Sequence, residues 1–261
     1  MNCISTKNLN ISYGNLDIVK DLNLEIPKGK ITTIIGSNGC GKSTILKTIA
    51  RIIKPKSGDI YVNDKNIKEQ NPRDLAKMMA VLPQSPQAPS GLTVEELIAY
   101  GRFPHQKGFG KLKREDKDIV TWALKSTGIE EFRERSIQDL SGGQRQRAWI
   151  AMALAQQTDT LILDEPTTYL DLAHQLEVLK LLEELNKKQG TTIVMVIHEL
   201  NNAARFADHM IGVKKGEVVC QGSAYEVMTK ENLKELFNID AEIVNDPRTQ
   251  KPVCITYDMV I

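Results

Sequence analysis

Several groups of residues in this chain have the types and spacing that handle phosphate. Gly36-Ser37-Asn38-Gly39-Cys40-Gly41-Lys42-Ser43 follows an apolar run, Ile31 to Ile35, and precedes a helical pattern. Glycines at such a turn let backbone N–H groups point inward around phosphate oxygens, and the helix start adds its positive end. Lys42 then reaches the β- and γ-phosphates of a nucleotide, and the Ser43 hydroxyl ligates Mg²⁺. The expected nucleotide contacts run from Gly36 through Ser43 to Thr44. Cys40 has two readings: an alkylation-sensitive thiol at a helix start that bound nucleotide would shield, or a tolerated small residue.

A second group follows Leu161-Ile162-Leu163, which ends in Asp164 and Glu165. A buried strand that delivers two carboxylates at its C-terminal end offers a metal anchor in Asp164 and a base for water in Glu165. Alone, the pair reads as an ordinary acidic strand end. His198 closes the run Val194 to Ile197, a position that by itself suits a structural histidine. Gln84 follows Val81-Leu82-Pro83, where it fits a side chain that senses Mg²⁺ and relays to the helices beyond. Leu140-Ser141-Gly142-Gly143-Gln144 is a Ser-Gly-Gly helix start and thus a second N-terminus open to anionic charge.

These residues need elements to carry them. Strands are expected at Leu9–Tyr13, Leu22–Ile26, Ile31–Ile35, Asp59–Val62, Met79–Leu82, Thr160–Leu163 and Thr191–Ile197. Helical periodicity runs over Lys42–Ile52, Val94–Tyr100, Arg114–Ser126, Gly143–Gln156, Leu172–Lys188 and Asn201–Ala207. Strand–helix–strand alternation with short links implies a parallel sheet covered on both faces, so the class is α/β with an all-helical insert. The expected division is a nucleotide-binding core at 1–87 and 158–225, a helical subdomain at 88–157, and a tail at 226–261 packed on the core.

With 261 residues and 41% hydrophobic content, one large domain with a real core is within reach. The 34 basic and 33 acidic residues balance to +1, so no global field draws nucleic acid or an anionic membrane. No apolar run approaches the roughly 20 residues that cross a bilayer, and Met1-Asn2-Cys3-Ile4-Ser5 lacks a signal-peptide layout. Any membrane role is expected through a partner. Four scattered cysteines show no metal-ligand spacing and suit a reducing compartment.

Taken together, the motifs resemble the ATP-binding cassette family across essentially the whole chain. Leu140-Ser141-Gly142-Gly143-Gln144 is the most diagnostic, because other phosphate-loop ATPases lack it. The resemblance implies a cassette with a RecA-like core, an N-terminal antiparallel β subdomain and an inserted α-helical subdomain. It implies ATP and Mg²⁺, the latter on Ser43, Gln84 and Asp164. It also implies a head-to-tail homodimer in which Ser141, Gly142, Gly143 and Gln144 of one copy complete the ATP site of the other. Tyr13 sits where the family stacks an aromatic on adenine, and His198 where it contacts the γ-phosphate. Tyr169-Leu170-Asp171 matches the loop that crosses the dimer interface. Tyr169 replaces a small residue there, and Glu199 stands where aspartate is more usual.

A longer resemblance points within the family. Leu97 to Gln106, Gln144 to Met152, and Asp171-Leu172-Ala173-His174-Gln175 look like the ATPases of iron-siderophore, haem and cobalamin importers. So does the ending, from Gly222 to Cys254. The similarity is greatest to ferric-siderophore ATPases. It implies a peripheral protein on the cytoplasmic face of the membrane, bound to integral permease subunits and served indirectly by an extracytoplasmic substrate-binding protein. A haem or cobalamin importer ATPase, or a soluble cassette of iron–sulfur assembly, are the alternatives. A nucleic-acid machine is disfavoured by neutral charge and by the lack of long coiled coils or a second cassette.

Overall fold

The computed structural model describes residues 1–106 and 112–260. Within the expected helical stretch 88–157, residues 107–111 lie outside the described residues. The chain forms two compact units, Met1–Gln70 with Asn186–Ile261, and Asn71–Leu185.

In the first unit, β1 (Asn2–Tyr13), β2 (Leu16–Leu22), β3 (Glu25–Pro27) and β4 (Ile31–Ile35) lead into α1 (Lys42–Ile49), β5 (Ser57–Val62) and β6 (Lys65–Asn66). β1 pairs antiparallel with β2, β3 and β5, giving the N-terminal antiparallel layer. An unbroken strand over Leu22–Ile26 is not what forms. Thr6 donates its hydroxyl to the Leu22 carbonyl and accepts from the Leu24 N–H, which breaks the ladder between β2 and β3. Likewise α1 stops at Ile49 rather than Ile52. Arg51 turns to φ 58°, and the N–H groups of Ile52 and Ile53 fold back onto the Lys47 carbonyl.

The second unit contains α2 (Pro72–Met78), β7 (Met79–Leu82), α3 (Val94–Tyr100), α4 (Arg114–Ser126), α5 (Gly142–Ala155), β8 (Thr160–Asp164) and most of α6 (Leu172–Gln189). β7 and β8 run parallel, with Leu82 opposite Leu163. The unit therefore begins at Asn71 and holds two strands as well as the helices. Part of the reason is local: the Gln156 amide, just past α5, donates to the carbonyls of Ala76 and Met79. The helices α3, α4 and α5 bury Leu97, Ile98, Val120, Leu124 and Ile150 among themselves.

The chain then returns to the first unit with β9 (Thr192–Val196), α7 (Leu200–Phe206), β10 (His209–Lys214), β11 (Glu217–Gly222), α8 (Ala224–Val227), α9 (Lys230–Phe237) and the hairpin β12 (Ile239–Asn245) and β13 (Pro252–Met259). Here the sheet runs β11-β10-β4-β9. β4 is parallel to both β9 and β10, and β11 is an antiparallel edge. Every residue of β4 and β9 is buried, as expected for parallel strands covered on both faces.

Gly101-Arg102, part of the motif that runs from Leu97 to Gln106, is explained by packing. A side chain on Gly101 would meet the Met152 carbonyl at 2.1 Å. Arg102 is 5% exposed, and its guanidinium donates to Asp116 at 2.8 Å, to the Ala155 carbonyl at 2.7 Å and to Gln157 at 3.0 Å. It thereby ties α4 to the end of α5. Losing one partner strands a buried charge, a cost of about 3–5 kcal/mol. Arg102→Ala is expected to lower the urea midpoint of the second unit by about 1–3 M at ordinary urea sensitivities. Both tryptophans, Trp122 and Trp149, lie in that unit, so their fluorescence makes the measurement.

Candidate functional site: phosphate loop, acidic strand end and signature helix

The phosphate loop lies at the C-terminal end of β4, where open parallel sheets bind ligands. Gly36 must be glycine: its φ is 152°, and a Cβ there would sit 2.1 Å from the Val213 carbonyl on β10. The loop is also held from the β10–β11 turn, where the Gly216 N–H donates to the Cys40 carbonyl at 2.9 Å. Gly41, in a left-handed conformation, caps α1, which has neither a side-chain cap nor an acidic residue in its first turn. A helix start of that kind favours an anion.

Lys42 is 5% exposed and donates to the carbonyls of Gly36 at 2.8 Å and Ser37 at 2.9 Å, so its ammonium is fixed inside the loop. Ser37, Asn38 and Gly39 form the exposed rim, and Ser43 and Thr44 lie half-buried in the first turn of α1. Cys40 faces inward. Its thiol is 3.7 Å from the Lys42 ammonium and the residue is 5% exposed, so burial by itself limits its access to alkylating agents.

Two other expected residues belong to this unit. Tyr13 ends β1 at the β1–β2 hairpin with half its surface exposed, open to stacking. His198 follows β9, whose Val196 lies opposite Ile34 of β4, so His198 emerges at the same sheet end as the loop. It is exposed, as is Glu199.

The second unit carries the remaining residues. Asp164 closes β8 and is 4% exposed. The next residue, Glu165, turns to φ 55°, a left-handed conformation rare for glutamate. Its Oε2 accepts from the Gln84 amide and, at 3.1 Å, from the Thr168 hydroxyl. Gln84 reaches it because β7 and β8 are in register and both chains leave the sheet at the same end. The structure therefore brings Gln84 and Glu165 together.

In the same unit, Ser141 caps α5 through a reciprocal box. Its hydroxyl accepts from the Gln144 N–H at 3.3 Å, and the Gln144 side chain accepts from the Ser141 N–H at 3.1 Å. Ser141 and Gly142 are exposed and Gly143 is buried. Gln144 thus shapes the helix start in addition to the nucleotide contact expected of it. Asp171 begins α6. It accepts from the His174 N–H at 2.9 Å and pairs with His174 Nδ1 at 2.8 Å. The His174 backbone N–H, then its ring, hold the Asp171 carboxyl below the usual carboxylate range.

The His174 ring lies directly over Gly143, where a Cβ would meet Cδ2 at 2.5 Å. Sequence reasoning assigned His174 no separate task. The signal was available: an aspartate at a helix start with a polar residue three positions on. Thr168, which steadies Glu165, was missed as well.

The chain matches the ABC transporter family over residues 19–168. It is 64% identical, over 100% of its own length and 97% of the relative's, to the iron(3+)-hydroxamate import ATP-binding protein FhuC of Bacillus subtilis (strain 168). A solved ABC transporter of metal-chelate type, in an inward-facing conformation, superposes with a TM-score of 0.84 at 30% identity, covering 97% of this chain and 96% of that one. The dimeric cassette MJ0796, in a post-hydrolysis state bound to ADP and Pi, superposes with a TM-score of 0.74 at 31% identity, covering 84% and 98%. This chain belongs to the ABC transporter family. It is an ATP-binding, ATP-hydrolysing cassette of the importer type.

The packing of His174 on Gly143 makes a direct prediction. Gly143→Ala is expected to displace the ring and lower ATP turnover at least tenfold, with a melting temperature close to wild type. Adding His174→Ala removes the clash, and turnover measured in the double variant is expected to recover in part.

Proposed function

We propose that this chain energises a ferric-siderophore importer, and specifically one for iron(3+)-hydroxamate complexes. The observation that carries the substrate class is the end-to-end similarity to the Bacillus subtilis iron(3+)-hydroxamate import protein. The chain reads no siderophore itself. Selection belongs to permease subunits and to an extracytoplasmic binding protein, with this chain on the cytoplasmic face. Among the described residues no helix is long and apolar enough to cross a membrane, which fits attachment through those subunits. A cavity lined by Asn71, Arg73, Ala76, Phe103 and Pro104 in the second unit, with Phe103 63% exposed, is suited to a permease helix.

Two copies close head to tail on two ATP molecules. Backbone N–H groups around Gly36–Ser43 and the Lys42 ammonium hold the β- and γ-phosphates, and Tyr13 stacks on adenine. Ser141 and Gly143 of the opposite copy present a second helix N-terminus to the γ-phosphate, and His198 donates to it. Both contacts are to the γ-phosphate, so they favour the closed dimer while that group is held at the seam and are lost when the cleaved phosphate leaves. Glu165, steadied by Gln84 and Thr168, accepts the proton of the attacking water. Asp171 acts across the same seam.

The donor set also suits Mg²⁺. Among the described residues no group of three or more His, Cys, Asp or Glu side chains could hold a metal by itself. The Ser43 hydroxyl, the Asp164 carboxylate and the Gln84 amide are hard oxygen donors of the kind Mg²⁺ takes alongside phosphate oxygens and water. Bound there, it would neutralise charge on the β- and γ-oxygens.

Glu165→Gln keeps the Gln84 and Thr168 neighbours and removes the base. Turnover is expected to fall about 10²–10⁴-fold, and the variant is expected to elute as a dimer in ATP and as a monomer without it. A monomer in both conditions would refute the dimer. In cells that depend on this gene, uptake of labelled ferric hydroxamates is expected to collapse with Glu165→Gln while haem and cobalamin uptake stay unchanged. The reverse pattern would overturn the substrate class.

A further inference from the structure

His198 is placed by β9 behind it and α7 ahead of it. β9 is fully buried and locked to β4. α7 is different. It has only seven residues, Leu200–Phe206, and its N-cap is Glu199, a residue type outside the preferred caps. A helix of under two turns does not hold itself. On its inner side it is tied to β4, where the Thr33 hydroxyl donates to the Ala203 carbonyl at 3.4 Å.

On its outer side it is held by the C-terminal hairpin. The Asn201 amide donates to the Cys254 carbonyl at 3.0 Å, and its oxygen accepts from the Cys254 N–H at 2.8 Å. One side chain therefore pairs with both backbone groups of a β13 residue, as a neighbouring strand would. At the far end of α7, Lys251 donates to the Ala207 carbonyl at 2.5 Å. Between the start of α7 and the hairpin lies a cavity of about 490 Å³ lined by His198, Leu200, Phe237 and Tyr257, among others. That space is an open groove, and the exposed Asn201 amide links the start of α7 to β13 beside it, while Ala203, Ala204 and Phe206 bury the helix's inner side. Without the amide, the first turn of α7 has room to move into the cavity and carry His198 with it.

We propose that Asn201 is a positioning residue for His198, and that through it the C-terminal hairpin sets the rate at which the γ-phosphate is cleaved. The inference rests on the reading of His198 as a γ-phosphate contact. It gives the β12–β13 hairpin a task in the ATPase cycle besides packing on α7 and α9.

The test uses the full-length chain and steady-state ATP hydrolysis. Asn201→Ala is expected to lower kcat about five- to tenfold while KM for ATP stays within twofold and the melting temperature within a few degrees. Asn201→Asp keeps the acceptor for the Cys254 N–H and loses the donor, and is expected to fall between Ala and wild type. In a His198→Ala background, Asn201→Ala is expected to cause no further loss, because its effect passes through the histidine. A wild-type kcat for Asn201→Ala beside an impaired His198→Ala would overturn the positioning role. So would an undiminished effect of Asn201→Ala in the His198→Ala background. A wild-type rate for His198→Ala would instead remove the reading of His198 on which the inference rests. If Asn201→Ala melts far below wild type, the Asn201→Asp variant carries the same comparison.

Discussion

The Val213 carbonyl occupies the place where a side chain of residue 36 would be. That single close approach makes the phosphate loop an extension of the sheet rather than a mobile connection. β10 presses on the loop's first glycine, the turn after β10 bonds its Cys40 carbonyl, and β4 feeds it from a fully buried strand. The loop's backbone N–H groups are consequently set before any phosphate arrives, which is what electrostatic stabilisation of a transferring phosphoryl group needs. Lys42 completes the arrangement by bonding two loop carbonyls with a nearly buried ammonium.

The acidic strand end in the other unit uses a different device. Glu165 sits at φ 55°, as does Tyr169 at 66°, so the chain leaves β8 through left-handed turns that ordinary residues resist. Such a conformation costs of order 1–3 kcal/mol and persists when neighbours over-determine it. Here the neighbours are Gln84 and Thr168 on the same carboxylate oxygen. The gain is a glutamate held by Gln84 and Thr168 next to a buried Asp164. Two adjacent carboxylates thereby receive two environments.

Much of this was legible in the sequence because the motifs are contiguous and each marks an element boundary. The glycine loop, the acidic pair and the Ser-Gly-Gly start all lie where strands end or helices begin, so pattern and chemistry agreed. What was not legible depends on contacts distant in sequence. Thr6 splitting the Leu22–Ile26 run is a side chain bonding backbone 16–18 residues away. The first unit also gathers its C-terminal elements through bonds such as Asn201 to Cys254, 53 residues apart. Gly101-Arg102 read as a family likeness, and its physical content, a buried ion pair closing a three-helix cluster, needed coordinates. His174 shows a middle case. Its link to Asp171 is local and visible, but its packing over Gly143 joins two motifs that are 31 positions apart.

The distribution of these devices bears on how the chain couples hydrolysis to movement. Each compact unit carries its own anion-facing helix start, α1 in one and α5 in the other, and each start is braced by its own unit. α1 is braced by β10 and the turn after it, α5 by its capping box and the Asp171–His174 pair. Residues braced separately stay ordered in themselves whether or not nucleotide is present. In the dimer proposed above, nucleotide then joins surfaces of two copies that are already ordered, and its affinity for the closed arrangement is not spent on ordering loops. In the proposed cycle the departure of the cleaved phosphate, rather than cleavage itself, removes the charge that both surfaces meet. Reopening of the proposed dimer would then follow from that lost attraction, with no element of either copy having to unfold.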